Sequence, residues 1–209
     1  MRLSFVKLLG LPVIFMLLAS CAATSLVDSW RNPNLTGRRY HKLLVVSITK
    51  NENTRRVLED VLSAELGQQG VAAVPGYSQI AKDERANKEV MEKAVEASGA
   101  EGVLTIQTIK VEQQAGYQPG YIESYPNFWY PPAFPTWNLY GYYGSTTYYE
   151  PPTTYTYEIA TIQANLFDVA SGKLIWAATL QSTEPGNITS VSKDLARLVI
   201  EKLIKEGLI

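Results

Sequence analysis

Cysteine is almost missing from this chain: Cys21 is the single one in 209 residues. No disulfide within the chain can staple the fold, so stability has to come from a buried core. Histidine is equally scarce. His41 stands alone, and no Cys or acid cluster joins it at metal-ligand spacing. A Ser-His-Asp triad would have to use His41, yet the chain has no Gly-x-Ser-x-Gly elbow. An excess of basic charge is also absent. The chain has 19 Lys+Arg against 20 Asp+Glu, which gives no basic face to displace counterions, so nucleic acid is not an expected partner. Gly141 to Gly144 lacks the lysine and the helix start of a phosphate loop. Glu59-Asp60 and Asp83-Glu84 are adjacent acids that read as solvated surface. No catalytic residue, metal ligand or cofactor is expected, and the chain is not expected to be an enzyme.

Long apolar runs are lacking too. The stretch Leu8 to Leu18 is shorter than the roughly 20 residues a membrane-spanning helix needs, and Pro12 interrupts it. With Arg2 and Lys7 ahead of it and small residues behind, it has the layout of a secretory signal. It closes on Leu18-Ala19-Ser20-Cys21, which resembles the lipobox of bacterial lipoproteins. The resemblance implies cleavage between Ser20 and Cys21, removal of residues 1–20, and a diacylglyceryl thioether with palmitate-type chains on Cys21. One acyl chain binds membranes marginally and two hold firmly. Ala22, where an Asp would favour the inner membrane, favours lipid anchoring at the outer membrane, facing the periplasm. Cleavage takes away Arg2 and Lys7 and no acid, so the mature chain is slightly acidic.

Residues 21–41 read as a lipidated tether and lead-in. Ala22 to Asp28 is small and polar, and at about 3.3–3.6 Å per extended residue such a tether holds a domain tens of Å off the bilayer. Trp30, Pro33 and Gly37 suggest a turn-rich segment docked on the domain. Residues 42–209 read as one domain. Leu43 to Ile48 is a continuous apolar run, as in a central strand covered on both faces. Val57, Leu58, Val61, Leu62 and Leu66 recur at helical spacing, with Asn53 as the predicted N-cap and Gly70 as the stop. Val71 to Val74 is a short strand, about 87–98 a second helix, and 102–112 a strand with Val103, Thr105, Ile109 and Val111 on one side. Tyr155 to Val169 and Leu174 to Leu180 form a hairpin about the turn Asp168 to Lys173. A last helix runs from about Ile188 to Glu206. The fold class is α/β (α+β mixed), about five strands in a mixed sheet with three helices, in the order β-α-β-α-β-[insert]-β-β-α.

This order is similar to the α/β domain of the TolB amino-terminal region and of the curli-secretion lipoprotein. The resemblance covers roughly residues 42–113 and 153–209. It rests on the strand Lys42–Thr49, the helix with Arg56-Val57-Leu58-Glu59-Asp60, the run Gly70-Val71-Ala72-Ala73-Val74 and the hairpin Leu166-Phe167-Asp168 to Ser171-Gly172-Lys173. It implies an envelope lipoprotein fold and, by analogy, a subunit of an oligomeric secretion or assembly complex. Fold alone does not give function.

The insert at 114–152 departs from the rest. Tyr and Trp crowd it, prolines break it at 119, 126, 131, 132, 135, 151 and 152, and Glu123 and Glu150 are its only charges. Such composition fits an irregular loop without a specific role. It fits equally a binding surface, because Tyr and Trp give large contact area at low entropy cost and stack on sugar faces. A membrane-inserting hairpin fits least, since the prolines remove ladder donors. The candidate binding surface is Tyr125, Phe128, Trp129, Tyr130, Trp137, Tyr140, Tyr142 and Tyr143. The functional expectation is a non-enzymatic outer-membrane lipoprotein that binds an envelope protein or peptidoglycan through this insert. The alternative is a homo-oligomeric assembly subunit, and a hydrolase of envelope polymers ranks behind both.

Overall fold

The computed structural model describes residues 23–34, 37–81, 88–124, 147–183 and 185–209. Strand β1 is Thr24–Arg31, β2 Lys42–Ile48, β3 Ala72–Pro75, β4 Gly102–Gln118, β5 Tyr121–Ser124, β6 Thr147–Glu150, β7 Thr153–Asp168 and β8 Leu174–Ser182. Helix α1 is Glu52–Gln68, α2 Lys88–Ser98 and α3 Ile188–Lys205. The chain divides into two units, Met1–Lys110 with Ala160–Ile209, and Val111–Ile159. Among the described residues no helix is long and apolar enough to cross a membrane.

The larger unit is built on a six-stranded sheet in the order β1-β8-β7-β4-β2-β3. Strand β2 pairs in parallel with β3 and β4, as strand–helix–strand crossovers require. The β7–β8 hairpin and β1 add antiparallel rungs. The expected mixed α/β sheet with three helices is present, with one strand more than expected. The added strand is β1. The reading of Ala22 to Asp28 as free tether is therefore corrected: Thr24 to Arg31 pairs with Ser182 to Trp176 along the sheet edge. Its composition hid it, because only Leu26 packs against the core, while Val27 and Trp30 stay exposed.

Alternation in β2 settles which helix covers which face. Leu43 and Val45 join one apolar cluster with α1 and α3, through Leu62, Leu66, Leu195 and Leu203. Leu44 and Val46 join a second with α2, through Ala94. Trp176, Leu166 and Leu180 are fully buried on the α1/α3 side, each worth roughly 1.5–3 kcal/mol of burial. In β4, Leu104 and Ile106 are buried as their alternation predicts. Ile109 and Val111, of the same parity as Val103, are exposed where the strand runs beyond the core.

Helix ends explain the boundaries. Asn51, and not Asn53, caps α1: its side chain accepts from the Asn53 and Thr54 amides at 3.0 and 3.1 Å. Asn187 caps α3 through the Ser190 amide at 3.2 Å. At the other end of α3, Gly207 takes φ 67°, and the Leu208 amide returns to the Leu203 carbonyl, a turn that favours glycine.

The smaller unit contains an antiparallel pair, β5 with β6, running from Tyr121↔Glu150 to Ser124↔Thr147. The ends of the insert are thus regular strands rather than loop.

Candidate functional site

Several predicted residues lie outside the described ones: Ser20 and Cys21 at the amino terminus, and all eight aromatics from Tyr125 to Tyr143. Asp83 and Glu84 lie outside them as well. In the described flanks of the insert the aromatic character continues. The Tyr155 ring lies over Gly116, where a Cβ would meet it at 2.5 Å. Tyr155 and Tyr157 rings are 6.1 Å apart, and the Tyr157 hydroxyl donates to Gln114 Oε1 at 3.0 Å. Tyr117 and Tyr155 are exposed.

His41 is exposed. Its amide donates to Glu101 Oε2 at 2.8 Å and its ring lies 3.7 Å from the same oxygen. That amide, above all, lowers the Glu101 pKa. Among the described residues no group of three His, Cys, Asp or Glu side chains is arranged to hold a metal ion.

Two buried acids organise the polar interior. Asp168, ending β7, accepts from the Ser171 amide and hydroxyl at 2.9 and 2.6 Å. It also pairs with Arg38 at 2.8 Å and accepts from the Tyr40 hydroxyl at 3.3 Å. This cluster fastens the lead-in to the hairpin turn. Burial first, and the Asp168 charge second, push the Tyr40 hydroxyl up to about 12. Glu59 was expected on solvated surface and is fully buried instead. It accepts from the Ser47 amide at 2.8 Å and the Tyr77 amide at 2.6 Å, and from Arg55 Nε at 3.2 Å. Arg55 in turn donates to the Ile80 carbonyl. Gly76 permits this seat, since a Cβ there would lie 2.9 Å from the Val45 carbonyl oxygen and 3.4 Å from Glu59. Both clusters have their partners inside the fold, so they read as structural.

A cleft of about 350 Å³ opens where β2 ends, between the start of α1 and the start of α3. Its volume falls within the usual range of ligand sites, about 300–1,000 Å³. Crevices outside the carboxyl ends of parallel strands are where open α/β sheets bind ligands. The walls are aliphatic, from Val57, Leu58, Ile106, Ile162 and Val191, and the rim carries Ser47, Thr49, Asn53, Thr54 and Thr108. Among the described residues no ionisable side chain lines it. Two helix starts border the mouth, but Asn51 and Asn187 already occupy amides of each. The chemistry on offer is burial of a neutral aliphatic group beneath a few hydroxyls and amides. Sequence reasoning missed this cleft, because its walls come from β2, α1, β4, β7 and α3 and each segment reads as ordinary core.

No protein-family model matches the chain and no curated protein matches it. Among solved structures it is similar to a PelC dodecamer from Paraburkholderia phytofirmans, at 14% identity over 89% of this chain and 99% of that one, with a TM-score of 0.43. It is similar also to the lipoprotein GNA1162 from Neisseria meningitidis, at 14% identity over 78% of this chain and 98% of that one, with a TM-score of 0.39. A PDZ domain protein from Parabacteroides distasonis shares 13% identity over 77% of this chain and 30% of that one, with a TM-score of 0.29.

Proposed function

We propose that this protein is a non-enzymatic lipoprotein of the outer membrane, facing the periplasm, that serves as a binding or assembly module of the envelope. The observation that carries this reading is the run Leu18-Ala19-Ser20-Cys21 behind a signal-type segment. The aromatic insert supplies the contact surface for an envelope protein or for peptidoglycan, because stacked Tyr and Trp suit both. The polar clusters at Asp168 and Glu59 serve the fold, which leaves the chain without an evident catalytic set.

The second reading, a subunit of an oligomeric assembly, is favoured by the edge strand β1. It exposes Val27 and Trp30 on a sheet edge with open backbone groups, a natural site for another chain.

The test is crosslinking in intact cells with the native protein and with a deletion of 114–152, alongside labelled palmitate and Cys21→Ser. Loss of a specific captured partner on deletion supports the insert as the binding surface, and unchanged capture sinks it. Capture of the chain only by itself favours the oligomeric reading. Absence of palmitate label on the wild type refutes the lipoprotein reading.

A further inference from the structure

We propose that the cleft between the starts of α1 and α3 receives an acyl chain of the lipid carried by this chain's own Cys21. The inference rests on the lipoprotein reading above and goes beyond it by assigning that lipid a site on the protein.

The first argument is reach. Ala23 is pinned: its carbonyl accepts from the Thr183 amide at 2.9 Å and from the Thr183 hydroxyl at 3.3 Å. Two residue steps separate Cys21 from Ala23, at most about 7 Å of extended chain. That tether length bounds how far a lipid on Cys21 can start from the carboxyl end of β8. The cleft begins close by. Thr24 pairs with Ser182, and Ser182 with Ala160, which lies on the cleft wall. Two strand spacings, about 10 Å, separate Thr24 from that wall. Pro185 and Gly186, the next described residues after Thr183, also line the cleft. An acyl chain spans half of a hydrocarbon core about 30 Å thick, so roughly 15 Å, which exceeds the distance of about 10 Å between Thr24 and that wall.

The second argument is chemistry. The cleft walls are aliphatic, and among the described residues no charged side chain lines them. The site suits a hydrocarbon chain, which packs against aliphatic walls without an unpaired polar group. On the rung between anchor and cleft, Thr24 Oγ1 and Ser182 Oγ are buried and, among the described residues, unpartnered. A buried hydroxyl without a partner is unfavourable. A lipid with three chains would keep two for the bilayer, enough for firm anchoring.

The experiment uses the full lipidated protein from cells fed a diazirine-bearing palmitate analogue, irradiated in intact cells, with peptides read by mass spectrometry. The expected result is a crosslink within the monomer between the Cys21 lipid and peptides bearing Val57–Leu58 or Ile188–Val191. Thr54→Phe, which fills the mouth, should lower that crosslink at least tenfold while Cys21 stays lipidated and the protein stays membrane-bound. Three results overturn the proposal: cleft peptides carrying only free phospholipid, a lipidated Cys21 that never reaches those peptides, or a Thr54→Phe crosslink at the wild-type level. A Cys21 without any lipid instead removes the lipoprotein reading itself.

Discussion

Glu59 and Asp168 are both buried carboxylates beside an arginine, yet the fold moves their proton affinities in opposite directions. Glu59 sits within α1 with three donors on it, and burial still dominates and raises its pKa. At Asp168 burial also pushes upward, but the Ser171 hydroxyl and amide, then Arg38 and Tyr40, outweigh it and hold the carboxyl below its usual range. Arg38 is half exposed, so Asp168 keeps its charge near water, whereas Arg55 is buried with Glu59. What separates the two is how much solvent their partners retain, not the presence of a partner. A buried pair bonded on all sides contributes little net stability but is expensive to break.

The largest expected effect breaks one side. Glu59→Leu leaves Arg55 buried without its carboxylate and should destabilise by about 3–5 kcal/mol, read from the urea midpoint. The double change Arg55→Met with Glu59→Leu should recover the part due to the unpaired Arg55, while the Ser47 and Tyr77 amides stay without their acceptor. A double variant no better than the single one would show that the packing at Glu59, rather than its charge pairing, holds the site.

Next comes the opposite site. Asp168→Asn should lose about 1.5–3 kcal/mol, the range for hydrogen bonds to a charged group. The pH dependence sharpens the contrast. The Asp168 contribution is present above its ordinary pKa of 3.8 and disappears as pH falls through the lower folded value. The Glu59 contribution has the reverse sign. It is complete below the ordinary 4.5 and shrinks as pH rises through the raised folded value. Asp168→Asn should therefore flatten the acid limb of a stability–pH profile, and Glu59→Gln should remove the decline above it. Profiles unchanged by either substitution would contradict both shifts.

Smaller effects test the supports. Gly76→Ala forces a Cβ to 2.9 Å from the Val45 carbonyl oxygen, with an expected loss of about 1–3 kcal/mol from overpacking. Asn51→Ala removes the cap of the helix that carries Glu59, for about 1 kcal/mol. Glu101→Gln touches an exposed contact with His41 and should leave the urea midpoint essentially where it is.

Much of the larger unit was legible in the sequence because its signals are local. The run Leu43 to Ile48, the apolar stripes of α1 and α3 and the turn at Asp168 to Lys173 each announce an element by periodicity. Three things were not legible, each for a physical reason. Strand β1 draws its order from pairing with β8, and its own residues carry no alternation. Glu59 and Arg55 lie off the apolar stripe of α1, and only the return of the chain at Gly76 and Tyr77 buries them. The cleft is a space between elements, and nothing in any one segment marks it. The run Leu18-Ala19-Ser20-Cys21 was legible as a lipobox-like motif, whereas the bond from Thr183 to Ala23 was not legible in the sequence.

That same bond joins residues 160 positions apart, which bears on the timing of folding. The sheet edge cannot close until β8 has formed, so β1 is among the last of the described strands to find its place. Pairings of such long sequence separation form slowly, because loop entropy is lost before contacts compensate for it. Until then β8 presents an open edge that other chains can join. Removal of β1 should leave unfolding of the remaining core largely cooperative but speed aggregation during refolding, and light scattering in a refolding jump would record the difference.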